Sequence, residues 1–274
     1  MIKKTTVRIL FLWCLFNMNL YGQIKLKTYS NKIEKGFEFL ADNGEYCPVS
    51  VKVNLELNNL SSSEGNNKVF VIPPRTKNYL ITKLLLIKPG RYGYKSKTKF
   101  NYGNSLKEQY DEEYVYHLPY KNKSEFTLSQ GYHGTRTHQA KNALDFSMPI
   151  GTDVHAAREG IVIKVVETNN KTCDKKECAK YNNSILIYHP DGTFSSYLHI
   201  NTNEALVAVG EKIMKGQVIA KSGNIGWSSG PHLHLEVFKQ KIEKRVTLKT
   251  KFKINEGSEA VFLKEKEKYF RNYN

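Results

Sequence analysis

The strongest constraint on the fold is the segment 49–57, where Val49, Val51, Val53, Leu55 and Leu57 alternate with Ser50, Lys52, Asn54 and Glu56. A period of two places all five apolar side chains on one face of an extended chain, so this stretch is half-buried sheet and not helix. Comparable short segments follow at 69–72, 79–87, 92–102 and 114–118, and Pro73-Pro74, Pro89-Gly90 and Pro119 end three of them. Proline and glycine punctuate strands because proline donates no ladder hydrogen bond and glycine tolerates turn conformations. The spacing predicts a β-sandwich-like module over residues 23–122. Residues 24–45 are polar with little pattern and are assigned no strand, and nothing in 24–120 has the make-up of a catalytic site.

The chain begins with Lys3, Lys4 and Arg8, then a mainly apolar run from Ile9 to Leu20, then Tyr21-Gly22-Gln23. This order of charge, apolar stretch and small residue predicts a signal peptide over residues 1–22, cleaved after Gly22. The run is about a dozen residues, against the roughly 18 expected of a membrane span, and no second span follows. The predicted location is therefore outside the cytoplasm: periplasmic, cell-surface or secreted. Of the four cysteines, Cys14 lies in the signal. Cys173 and Cys178 bracket a charged loop and are read either as a local disulfide or as two free thiols, whereas Cys47 has no evident partner and is expected to be buried. The formal charge of +16 suits either solubility or attraction to an anionic polymer such as wall material. The lysines are scattered and no nucleic-acid motif is present, so nucleic acid is not an expected partner. Oligomeric state is not legible.

From Ser124 glycine becomes frequent and the histidines cluster. Segments 161–166 and 184–188 read as apolar strands, and His189-Pro190-Asp191-Gly192 as a turn. No amphipathic helix is evident, so mostly antiparallel sheet is expected, with edge strands from the tail 241–274. The most informative stretch runs from Ser222-Gly223 to Glu236. In a strand, His232 and His234 point to one side and Leu233 to the other. Upstream lie Tyr197-Leu198-His199, and His138 ahead of Ala143-Leu144-Asp145-Phe146.

Over residues 128–238 these motifs resemble the M23 peptidases, lysostaphin-like zinc endopeptidases that cut peptide bridges in bacterial peptidoglycan. The resemblance is carried by His138 with Asp145-Phe146, by Pro149-Ile150-Gly151-Thr152, by 156–162, by His189-Pro190-Asp191-Gly192, by Tyr197-Leu198-His199, by Gly210-Glu211 with Gly216-Gln217, and by 222–236. It implies an M23 metallopeptidase domain over 123–240, Zn²⁺ as cofactor held by His138, Asp145 and His234, and His199 and His232 as catalytic imidazoles. Three protein ligands leave a position for water, as a catalytic zinc site requires. The chain departs from the family in one place: six residues, Gln139 to Leu144, separate His138 from Asp145, where three are usual. A longer loop costs little entropy, so both side chains still reach one point.

The overall expectation is a mainly β exported zinc metalloendopeptidase with peptidoglycan or its peptide bridges as substrate. Activity is expected to fall below about pH 6, where free imidazole protonates. Two alternatives stay open: a non-catalytic binding or activator protein of wall hydrolases, and a zinc peptidase acting on Gly-rich protein outside the wall. The N-terminal module is read as substrate-binding, inhibitory or supporting. His117, His133, His155 and His189 are read as structural or solvated. Glu236 is placed on the face opposite the ligand and given no catalytic role.

Overall fold

The structure, a computed structural model, describes residues 24–274, so the predicted signal segment 1–22 lies outside the described residues. The N-terminal part consists of two antiparallel sheets. One has the order Leu26–Ile33, Gly36–Asn43, Tyr79–Leu86, Leu60–Ser62, and the other Lys68–Ile72, Val49–Asn58, Gly93–Tyr102. Val49, Val51, Val53 and Leu55 all point inward, against Phe39, Ile72, Ile81 and Leu84, which is the face that the alternation requires.

The patternless stretch 24–45 is in fact a β-hairpin, and the physical reason is visible. Leu26–Ile33 is an edge strand with little buried on either side. In Gly36–Asn43 a register shift between Phe39 and Leu40 lets consecutive residues Leu40 and Ala41 both be buried, which erases the period. Gly36 closes the two-residue turn with φ of 135°, and a Cβ there would lie 1.8 Å from the Leu84 carbonyl oxygen. Only glycine fits.

The rest of the chain is built on a nine-stranded antiparallel sheet. Its order is Lys212–Ile213, Gly160–Val166, Ser184–Tyr188, Phe194–Leu198, Leu233–Gln240, Ala143–Phe146, Ser124–Gln130, Lys268–Arg271, with Arg245–Thr247 paired beside Leu233–Gln240. Among the described residues the only helix is the short 3₁₀ turn Lys176–Tyr181. The tail contributes Lys268–Arg271 at one edge, and Lys251–Ile254, which pairs in parallel with Val115–Tyr116. Cys173 and Cys178 form a disulfide, and Cys47 is a buried free thiol whose burial pushes its pKa up to about 12.

The two faces of this sheet do different things. Leu233, Leu235 and Val237 join Leu144, Phe146, Ile185, Ile187 and Tyr197 in the main core, which Tyr116, Leu118 and Tyr120 help to close. The opposite face carries His234, Glu236 and Phe238. At its far end Phe238 stacks on Phe194 at 5.3 Å, and both pack with Leu186 against Cys47, Tyr46 and Tyr102 of the N-terminal module. Each such buried aromatic contributes about 2–3 kcal/mol through area removed from water. The N-terminal module therefore rests on the same sheet face as the histidines, at the other end.

His189 is fully buried in the turn that follows Ser184–Tyr188. Its ring nitrogens meet the Glu159 carbonyl oxygen at 2.7 Å and Ser195 Oγ at 3.0 Å. Burial pushes its pKa down to about 4, and burial does the same to His117. A lowered folded-state pKa means that the stability is present above the unfolded value of about 6.5 and is lost as pH falls from there toward 4. For His189 the loss between pH 7 and pH 5 is on the order of 2 kcal/mol. Urea unfolding at the two pH values should show this loss, and His189→Asn should show less of it. An equal loss in the variant would contradict the assignment.

Candidate metal and catalytic site

Cross-strand register assembles the site. Asp145 on Ala143–Phe146 lies directly opposite His234 on Leu233–Gln240, and His234 lies opposite Leu198 on the other side. Residues facing each other across antiparallel strands have Cβ atoms only about 5 Å apart, so the carboxylate and imidazole meet without any loop to position them. His138 arrives from the preceding loop. Its Nδ1–H donates to the Gly131 carbonyl oxygen at 2.9 Å, which leaves Nε2 with its lone pair toward the other two.

The atoms that converge are His138 Nε2, Asp145 Oδ1 and His234 Nδ1. Their separations are 3.3 Å between the two nitrogens, 3.2 Å from His138 to Asp145 and 2.9 Å from His234 to Asp145. Ligand bonds of 2.0–2.1 Å in a tetrahedron put donor atoms about 3.3 Å apart, so this triangle fits zinc with little adjustment. Of the groups that could hold a metal ion, these are the three that cluster among the described residues. The six-residue gap after His138 does not keep it away from the other two. Burial opposes charge on this cluster. Even so, the His138 and His234 imidazoles beside it hold Asp145 well below the usual carboxylate range, and Asp145 and Glu236 raise His234 to about 9. The pocket is thus electrostatically matched to a cation.

His199 and His232 stand beside this triangle with ring centres 4.5 Å apart. His199 follows its strand in the left-handed region, φ of 64°, which turns the side chain out of the strand's alternation. Its Nδ1–H donates to the Ile225 carbonyl oxygen at 2.7 Å, and that of His232 to the Gly230 carbonyl oxygen at 2.8 Å. Both Nε2 atoms are thereby left as acceptors. Burial pushes His199 down to about 3 and lowers His232 as well. The fall in activity near pH 6 expected from a free imidazole therefore does not match the surroundings of these two rings.

Two residues were missed or misplaced in the sequence. Glu236 is two positions after His234 and so shares its face, contrary to the expectation that it points away. Its Oε2 lies 3.8 Å from His234 Nε2, and its Oε1 accepts from the Arg245 guanidinium at 3.1 Å. The alternation of Leu233, Leu235 and Val237 carried this information. Gln130 had no signal. It is buried, donates to Asp145 Oδ2 at 2.9 Å and to Thr137 Oγ1 at 2.7 Å, and accepts from the Arg136 and Thr137 amides. One amide side chain thus joins the Asp145 carboxylate to the loop that delivers His138. Of the remaining histidines, His117 and His189 are buried, His155 is half-buried and His133 is exposed; none is in the triangle.

The five predicted residues sit at or beside a groove of ≈ 700 Å³ whose lining includes Asp145, His199, His232 and His234; His138 is buried behind them. Among the described residues none before Ser129 lines the groove, so the described part of the N-terminal module does not line it.

The model of peptidase family M23 matches residues 139–246, beginning one residue after His138. An uncharacterized metalloprotease of Buchnera aphidicola subsp. Baizongia pistaciae is 23% identical over 252 residues, covering 83% of this chain and 64% of the relative. The peptidoglycan DD-endopeptidase ShyA of Vibrio cholerae is 33% identical over 120 residues, 42% of this chain and 25% of that protein. Among solved structures, the antimicrobial peptidase lysostaphin from Staphylococcus simulans is similar over 44% of this chain and 47% of its own, with 26% identity and a TM-score of 0.35. The chain spans just under two thirds of the first of these relatives and a quarter of the second. Residues 139–246 are a peptidase family M23 domain.

Proposed function

We propose that this protein is an exported zinc metalloendopeptidase that hydrolyses peptide bonds in bacterial peptidoglycan. The observation that carries the reading is the convergence of His138 Nε2, Asp145 Oδ1 and His234 Nδ1 beside two further imidazoles in one groove. The endopeptidase names of relatives such as ShyA support the substrate, and the Cys173–Cys178 disulfide suits an oxidising compartment outside the cytoplasm. Among the described residues no helix is long and apolar enough to cross a membrane.

His138, Asp145 and His234 would hold a zinc ion, which when bound would supply Lewis acidity toward a scissile carbonyl and toward a water. The chain's own groups do the rest. Nε2 of His199 and of His232 are unprotonated acceptors fixed by the Ile225 and Gly230 carbonyl oxygens, so either takes a proton without reorientation. Once protonated, that ring donates to the developing oxyanion or to the leaving amine. Burial favours the neutral rings and returns them to the acceptor state after each turnover. Gln130 and the Gly131 carbonyl oxygen hold Asp145 and His138, while Glu236 faces the outer nitrogen of His234 and favours a proton there, leaving Nδ1 for the metal.

Zinc content and hydrolysis of purified wall fragments, followed by mass, test this directly. Asp145→Ala and His234→Ala should lose metal and activity together. His199→Ala and His232→Ala should keep metal and lose about 10²- to 10⁴-fold in turnover. Normal turnover in the His199 variant would remove its role, and a wild-type protein that holds zinc but cleaves nothing would favour the non-catalytic alternative. Glu236→Gln should stay folded and weaken zinc binding by about 10- to 100-fold, read by competition with a chelating dye. Unchanged affinity would show that Glu236 does not orient His234.

A further inference from the structure

The groove walls differ in charge. Arg245 is paired with Glu236, and the wall formed by the disulfide loop presents one charge of each sign to the groove, Asp174 and Lys176. The wall formed by the loop leading to Asp145 carries Arg136 and Lys141, which line the groove and make no ion pair among the described residues. This loop is held in place. Gln130 Oε1 accepts the Arg136 amide, the Lys141 amide donates to the His138 carbonyl oxygen at 2.8 Å, and the Lys141 carbonyl oxygen accepts from the His133 amide at 2.8 Å. Arg136 also reaches across to Ser229 Oγ at 3.1 Å. Two unneutralised cations thus stand on a braced loop at the wall that delivers both His138 and Asp145. Lys141 belongs to the six-residue segment by which this chain departs from the usual spacing.

Resting on the zinc-peptidase reading, we infer that Arg136 and Lys141 select a peptide with a free carboxylate close to the scissile bond, so that the substrate is an anionic stem-peptide cross-link and not a neutral glycyl bridge. A polyglycine strand has no group for these cations to bind. A stem peptide offers carboxylates, and a carboxylate on guanidinium or ammonium forms the stronger, charge-assisted class of hydrogen bond. Because both cations are exposed, the gain is moderate and sensitive to salt.

The test uses the zinc-loaded full protein and three probes: a stem-peptide dimer with a free carboxylate next to the cross-link, the same dimer with that group as a carboxamide, and pentaglycine. The carboxylate dimer should be cut with kcat/KM about tenfold above the carboxamide at low salt, mainly through KM. The ratio should fall toward one in about 1 M sodium chloride, where the screening length is about 3 Å. It should also fall toward one in the double variant R136Q/K141Q, and Arg136→Lys should retain most of it. If the double variant misfolds by circular dichroism, the salt titration of the wild type decides. Equal or better cleavage of the carboxamide or of pentaglycine overturns the inference while leaving the peptidase reading intact. If no probe is cleaved, that reading fails. Calorimetric binding of the two dimers then still discriminates: tighter binding of the carboxylate form upholds the charge selection, and equal binding overturns it.

Discussion

The pairing of Asp145 with His234 across two adjacent antiparallel strands is the constraint on which the rest of the site depends. Strand geometry sets the distance between them, and the core residues on the reverse face set the register. Leu144 and Phe146 on one strand, and Leu233 and Leu235 on the other, are all buried in the main core. A slip of one residue would turn the carboxylate and the imidazole into that core and expose four large apolar groups. The hydrophobic effect that folds the sheet thereby also holds the carboxylate and the imidazole of the candidate metal site at contact distance.

The third member of the candidate metal site needs a different solution, because His138 comes from a loop with no ladder to fix it. Gln130 supplies the link. Its amide ties the Asp145 carboxylate to the backbone of residues 136 and 137, and the Gly131 carbonyl oxygen fixes the His138 ring. A buried amide with both ends satisfied is rigid, since each broken bond would leave a desolvated polar group unpaired. His199 is placed by a third device, a left-handed residue directly after a strand, which directs the ring toward His232.

The N-terminal module shares the face that carries the site without reaching the groove. Tyr46, Cys47 and Tyr102 pack on Phe194 and Phe238, and Asn101 and Lys99 touch the turn 241–244 through Ile242 and Glu243. That turn leads into Arg245, which holds Glu236, which faces His234. The contacts run from the module to the groove end by way of one turn, so its packing bears on the placement of Arg245.

The β class was legible because alternation of Val49 to Leu57 and of Leu233 to Val237 is a direct image of the pleat, and the residues that gather at the groove stood out because their motifs are local. The hairpin at 26–43 was not legible, since an edge strand and a bulge both remove the periodic signal. Glu236 was misplaced although the period that places it was in view. The amino-acid order alone determined which face of each strand is apolar, and hence which histidines point together, because side-chain direction in a strand follows from covalent geometry. Only the tertiary structure decided that His138 reaches Asp145 despite six intervening residues, that Gln130 braces them, and that Arg136 and Lys141 stand on one wall with no ion pair among the described residues. These depend on loop conformation and on partners far apart in the chain, which no local period encodes.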